Sequence, residues 1–175
     1  MTVSRFPFTQ QNSNECNFER ASANVEALFI SYQVIKFMYM EKDKVQRIIE
    51  KNHRFISPYE EPESYYLWTD DHFTDEQITD EIIHLYFNKL QYAAANADRL
   101  INQAFKPEFY QFYGVDKQQV SSPDEMCSGL IFDSFVLSPG QKLICANLSN
   151  DQYLFGHFIA VEWDYHWQIK SVWID

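Results

Sequence analysis

The sequence predicts an α+β fold, with N-terminal helices packed on a C-terminal four-stranded antiparallel meander. Apolar residues recur at helical spacing through much of residues 18–106, whereas from Gly129 onward they alternate at the two-residue spacing of strands. Short turn sequences separate the strands, which favours antiparallel pairing. The 175 residues predict a single domain, because a chain of this length can bury its own core.

Two helices are predicted early in the chain, after a polar and loose arm over residues 1–17. Residues 18–40 predict the first helix, but its apolar end is also rich in strand-forming residues, so a strand over part of it is the alternative. Residues 41–55 predict a clearer helix with its charged side chains facing outward. Its inward-facing residues are Val45, Ile48 and Ile49.

One long helix is predicted over residues 75–105. It follows a capping box, in which the Thr74 hydroxyl accepts from the Gln77 N–H while the Gln77 side chain reaches back to the Thr74 N–H. A short helix is predicted further along the chain, with Ser122 as its N-cap and Pro123 in its first turn.

Four strands are predicted over residues 129–175, separated by turns at "SPGQ", "SND" and "DYHW". In the third strand, "QYLFGHFIAVEW", His157 shares one face with apolar residues, which predicts a buried histidine hydrogen-bonded to a neighbour. Gly156 beside it predicts a bulge or a close backbone approach. The apolar residues on the predicted face are Phe155, Ile159, Val161 and Trp163.

Charge and composition argue against several classes of protein. The net charge of −11 opposes binding to nucleic acid and to anionic membranes. The N-terminus lacks the apolar region of a signal peptide, and three widely separated cysteines indicate reduced thiols, so a cytoplasmic location is expected. Only four glycines occur, no phosphate-binding loop is present and no zinc-binding motif is found, so no cofactor and no metal are expected.

Enzymatic alternatives find little support in the sequence. Cys145 and His157 could face each other on adjacent strands, but Cys145 lies in the apolar run "LICANL", which predicts an inert thiol and no catalytic residue. The run "DDHFTDE" offers metal ligands without the glycine of a calcium-binding loop. A hydrolase that uses carboxylates of residues 60–81 stays open as an alternative, as does a non-catalytic adaptor subunit.

The segment Pro58–Glu81 carries most of the charge imbalance and predicts a protein-binding site. It holds nine carboxylates and no Lys or Arg, together with several Tyr, Trp and Phe residues. Aromatic residues supply binding energy at protein interfaces, and carboxylates around them steer a basic partner. The predicted partner-binding residues are Tyr65, Tyr66, Trp68, Asp70, Asp71, Asp75 and Glu76.

The C-terminal segment "YLFGHFIAVEWDYHWQIKSVWI" contains an aromatic-Gly-His strand, a turn and a strand with two spaced isoleucines. This hairpin resembles the closing hairpin of small bacterial immunity proteins, which are encoded beside polymorphic or contact-dependent toxins. The resemblance implies a cytoplasmic, non-catalytic inhibitor that binds one cognate toxin, and it supplies no catalytic residue. The matching residues are Phe155, Gly156, His157, Ile159, Val161, Ile169 and Ile174.

Overall fold

The computed structural model describes residues 36–69, 73–106, 109, 122–150, 154 and 156–174. These residues form an α+β fold, in which a mixed sheet of seven strands packs against four helices. The strands are β1 (Lys36–Tyr39), β2 (Tyr65–Thr69), β3 (Ile131–Phe132), β4 (Phe135–Ser138), β5 (Leu143–Ser149), β6 (Phe158–Asp164) and β7 (Ile169–Ile174). The helices are α1 (Lys42–Ile49), α2 (Asp80–Ala95), α3 (Ala97–Ala104) and α4 (Pro123–Gly129).

The predicted class is confirmed, but the predicted sheet is too small. Strands β4 to β7 pair antiparallel in chain order, as a meander does. The sheet then continues past β4, because β2 pairs with it in parallel and β1 pairs antiparallel with β2. The short strand β3 also pairs with β5. Two strands therefore come from the part of the chain predicted to be mainly helical, and the helices do not all precede the sheet.

The strand β1 occupies the end of the segment predicted as the first helix. Lys36–Tyr39 is therefore a correction to that prediction and agrees with the strand alternative. The rest of the segment, residues 18–35, and the predicted arm over residues 1–17 lie outside the described residues. Strand formers such as Tyr39, which pairs with Tyr66 of β2, favour a pleated sheet, so tertiary pairing decides their conformation.

The helix predicted over residues 41–55 is confirmed in its first part as α1, which ends at Ile49. Val45 and Ile49 are buried and Ile48 is partly buried, which matches the predicted inward face. The prediction of one long helix is wrong in one respect: the helix is interrupted at Asn96, between α2 and α3. Asn96 has φ −126° and ψ 20°, outside helical geometry, so the second part of the helix takes a new direction.

The two predicted helix caps have different outcomes. The capping box at Thr74 is present, and the Thr74 N–H donates to Gln77 Oε1 at 2.8 Å. It closes only a short 3₁₀ turn, however, and α2 begins later, at Asp80. The cap at Ser122 is confirmed: its hydroxyl accepts from the Glu125 N–H at 3.2 Å at the start of α4.

The sheet has one face buried against the helices, called here the inner face. Tyr86 of α2 packs edge-on against Phe135 with 5.6 Å between ring centroids, and its hydroxyl donates to the Phe135 carbonyl at 3.2 Å. Phe132 stacks on Phe55 from the loop after α1. Because side chains alternate along strands, the residues that lie between these inner-face positions form an opposite, outer face. The buried inner-face residues are Tyr65, Leu67, Phe135, Leu137, Ile144, Ala146, Leu148, Ile159, Val161 and Trp163.

The prediction of a buried His157 is wrong. Strand β6 begins at Phe158, so His157 precedes the strand, and its side chain is exposed. The reason is a turn at Gly156, whose φ of +86° is a conformation that favours glycine. Among the described residues, none beyond its chain neighbours comes within 4 Å of where a Cβ of residue 156 would lie, so backbone conformation rather than close approach explains this glycine. Phe155, predicted on the same face, lies outside the described residues.

The turn between β6 and β7 is held by Asp164. Its Oδ1 accepts from the His166 N–H at 2.8 Å and the Gln168 N–H at 3.0 Å, and Oδ2 lies 3.0 Å from Lys170 Nζ. The Gln168 N–H and the Lys170 ammonium, followed by the His166 N–H, lower the pKa of the Asp164 carboxyl to about 2. The "DYHW" turn predicted from the sequence is thus a side-chain-stabilised turn.

This turn predicts a defined acid sensitivity. The folded-state pKa of Asp164 lies below the unfolded value, so its stabilising contribution is complete above about pH 4 and is lost as the pH falls toward about 2. Urea titrations of the wild-type protein and of Asp164→Asn across this range should therefore show the stability difference shrinking with acidification. A difference that stays constant with pH would show that the carboxylate charge contributes nothing.

Candidate protein-binding surface

The predicted binding segment does not form one continuous surface, because β2 runs through it. Tyr65 is only 1% exposed, and its hydroxyl donates to the Ile56 carbonyl at 2.6 Å. Its ring belongs to the inner face and to the core. The prediction of Tyr65 as a partner-binding residue is therefore wrong, because no partner can reach its side chain without unfolding the sheet.

Tyr66 and Trp68 point to the outer face and are half-buried. Tyr66 lies opposite Tyr39 of β1, and the two rings meet edge-on with 6.3 Å between centroids. The Tyr39 side chain is 51% exposed. Tyr39 was not predicted as a binding residue, because its segment was predicted as a helix. Had this segment been predicted as a strand paired with β2, Tyr39 would have been placed beside Tyr66.

Acidic residues lie at both ends of β2. Three precede the strand and four follow its end, and the side chains of all seven are exposed. Asp75 and Glu76, predicted as partner-binding residues, belong to the second group, whereas Asp70 and Asp71 lie outside the described residues. The seven exposed acids are Glu60, Glu61, Glu63, Asp75, Glu76, Asp80 and Glu81.

The acids that precede β2 belong to a larger surface that also contains acids of the α1 region and two exposed tyrosines. Tyr59, 58% exposed, donates its hydroxyl to Asp43 Oδ1 of α1. The Ser57 hydroxyl donates to Gln46 Oε1 at 3.2 Å, which fastens this loop to α1. The Met40 N–H donates to the Tyr65 carbonyl at 3.0 Å and brings the start of α1 beside β2. We call this surface the tyrosine–acid patch; it comprises Tyr39, Glu41, Asp43, Tyr59, Glu60, Glu61 and Glu63.

The tyrosine–acid patch is acidic in the loop before β2 and mixed in charge on α1. It holds five carboxylates, but Lys42 lies between Glu41 and Asp43 in sequence, and Lys44 and Arg47 follow Asp43 on α1. In the part of the chain that the structure describes, Glu41, Glu60, Glu61 and Glu63 form no ion pair within 4.0 Å. The hydrogen bond to Asp43 raises the pKa of Tyr59, so the phenol stays neutral. The loop before β2, with Glu60, Glu61 and Glu63, therefore presents a negative field beside the neutral Tyr59 side chain.

The outer face does not assemble the cysteine–histidine pair considered from the sequence. Cys145 lies opposite Glu162, whereas His157 precedes β6, beyond the pairing of Ser149 with Phe158. Burial, and next the Glu162 carboxylate, raise the pKa of the Cys145 thiol to about 12. The thiolate is the nucleophilic form of cysteine, so this residue is unsuited to attack at neutral pH.

The described residues offer neither a clustered metal site nor a membrane-spanning helix. None of their His, Cys, Asp and Glu side chains form a group of three or more that could hold a metal ion. None of their helices combines the length and the apolarity needed to span a bilayer. Comparison with protein-family models, with curated proteins and with solved structures found no significant match to this chain.

Proposed function

We propose that this protein is an immunity-type inhibitor, which binds a basic toxin through the tyrosine–acid patch and performs no catalysis. The observation that carries the proposal is the patch itself: two exposed tyrosines together with five carboxylates, four of which form no ion pair among the described residues. Mutual repulsion among these acids costs folding stability, and a cationic partner relieves it on binding. The proposed partner is a cytoplasmic toxin whose own binding surface is basic.

The residues of the patch divide into two roles. Tyr39 and Tyr59 offer ring surface and a hydroxyl, the combination that interface hot spots favour. Glu60, Glu61 and Glu63 follow Tyr59 in the exposed loop that leads into β2, and they raise the rate at which a basic partner arrives. At the other end of β2, Asp75 and Glu76 extend the negative field, together with the predicted Asp70 and Asp71. Trp68 is a secondary anchor, because its side chain is half-buried.

The hairpin that resembles immunity proteins has a different role in this proposal. Its matching residues Ile159 and Val161 are fully buried in the inner face, and Ile174 packs against the core. These residues build the scaffold and are not available to a partner. The resemblance therefore concerns the fold of the hairpin, while the surface charge at β2 determines which toxin is bound.

Co-expression tests the proposal in living cells. The toxic domain encoded next to this protein's own gene is expressed in a bacterial host with and without this protein, and growth is measured. Growth arrest that this protein relieves supports inhibition. If no toxin is encoded beside the gene, or if the arrest persists although both proteins accumulate, the immunity function is wrong.

Binding kinetics then distinguish the two roles within the patch. Tyr39→Ala should weaken binding of the purified toxin by about 2 kcal/mol or more, mostly through faster dissociation. Replacing Glu60 and Glu61 by Lys should mainly slow association. Raised salt should mask much of that loss, because exposed charges are screened beyond about 8 Å at physiological ionic strength.

Surface plasmon resonance at two salt concentrations measures both rates. Trp173→Ala is the matched control, since this side chain is 45% exposed on the outer face but lies on β7, at the other edge of the sheet. Wild-type rates for the Tyr39 and glutamate variants would place the interface elsewhere on the protein, even if co-expression shows inhibition.

A further inference from the structure

A polar cleft lies between α1 and α2 and adjoins the tyrosine–acid patch at Asp43, but its lining differs from the patch in charge. Its volume is about 530 Å³, and its lining includes three residues that are or can be cationic. Lys44 and Arg47 are three apart on α1, and His84, Asn88 and Gln91 follow helical spacing on α2. Such spacing puts each set on one face of its helix. Among the described residues, the lining contains no carboxylate, although the protein carries a net charge of −11.

The side chains of the cleft are arranged around one aromatic ring. Lys44 Nζ stands 3.7 Å from the centroid of the Phe87 ring, which is 6% exposed and forms the apolar floor. The Arg47 Nε–H donates to the Asp43 carbonyl at 3.2 Å, which orients the guanidinium and leaves its terminal N–H groups for other acceptors. Within the described residues, His84, Asn88 and Gln91 make no side-chain hydrogen bond.

We propose that this cleft binds a compact anion, such as the phosphate group of a small molecule. Lys44 and Arg47 supply the charge, and the Asn88 and Gln91 amides supply neutral donors beside it. Hydrogen bonds from a guanidinium or ammonium to phosphate oxygens are among the stronger ones that proteins make. The volume is in the range of small-molecule sites, roughly 300–1,000 Å³.

The residues around the cleft favour a small anion over a long one. Asp43 precedes Lys44, Glu50 follows Arg47 by three positions, and Glu81 precedes His84 by three positions. A nucleic acid or an acidic peptide would pass these carboxylates and be repelled by them, since like charges in close apposition disfavour binding. A compact anion lying between Lys44 and Arg47 avoids them.

A titration with inorganic pyrophosphate tests this proposal, with ionic strength held constant by sodium chloride. Binding is monitored by NMR of the amide and side-chain resonances. Saturable shifts confined to α1 and α2 around the cleft are expected. Arg47→Gln should weaken binding by roughly tenfold or more, because a charged hydrogen-bonding group is lost. Asn88→Asp, which keeps the shape but adds a negative charge to the cleft, should abolish saturable binding.

Lys142→Asn is the matched control, because it removes one positive charge from a turn remote in sequence, where φ is +57° and asparagine is tolerated. It should bind pyrophosphate as the wild type does. Shifts that do not saturate, or that spread over the whole surface, would overturn the proposal. So would equal affinity of the wild type and Asn88→Asp, or tighter binding of an acidic peptide than of pyrophosphate.

Discussion

Replacing Trp163 by alanine should lower the free energy of unfolding by about 3–5 kcal/mol, the range for removing a large aromatic side chain from a core. Trp163 is fully buried on β6, a strand paired on both sides. Its ring lies 6.4 Å from Phe132 and 6.0 Å from Trp167, measured between centroids. Removing it leaves a cavity among aromatic side chains that the surrounding sheet cannot close.

Urea denaturation of three variants checks this expectation. Trp173→Ala, on the exposed edge strand, should cost less than about 1 kcal/mol, because surface substitutions usually have small effects. Trp163→Phe should also cost much less than the alanine change: it keeps most of the apolar contact and removes an indole N–H that is buried without a partner among the described residues. Similar losses for Trp163→Ala and Trp173→Ala would contradict the assignment of Trp163 to the core.

Replacing Arg54 by methionine should lower the free energy of unfolding by about 2–3 kcal/mol, the cost of removing a charged hydrogen-bond donor from a site that depends on it. The Arg54 side chain is only 14% exposed. It donates to the carbonyls of Ser128 and Leu130 at the end of α4, where a cation also complements the helix dipole. The guanidinium thus connects the loop after α1 to the end of α4 and the residue before β3.

Urea denaturation of a second variant separates the carbonyl contacts from the ion pair. Arg54 Nε lies 2.8 Å from Asp98 Oδ1, but the Asp98 side chain is 70% exposed, so this pair contributes little. Asp98→Asn should therefore change stability by less than about 1 kcal/mol. Arg99→Met on α3, an exposed arginine, is the control for loss of charge. Should Asp98→Asn cost as much as Arg54→Met, the ion pair and not the carbonyl contacts would hold α4.

Local chemistry allowed several elements and one cap to be predicted from the sequence. The inward face of α1 and the alternation in β5 and β6 follow from periodicity, which needs no knowledge of the partner surface. The Ser122 cap forms from residues within one helical turn. The acidic character of the candidate surface was also predictable, because charges exposed on either side of a short apolar strand stay exposed in any fold.

What the tertiary structure decided was how distant segments pair. Strand β2 joins β4, and only this pairing buries Tyr65, brings Tyr39 beside Tyr66 and separates the acids into two groups. The break at Asn96 and the turn at Gly156, which leaves His157 exposed, are likewise not visible in the periodicity of the apolar residues. The sequence by itself determined that an acidic, aromatic segment exists; long-range strand pairing decided which of its side chains face solvent, because burial depends on neighbours that local patterns do not encode.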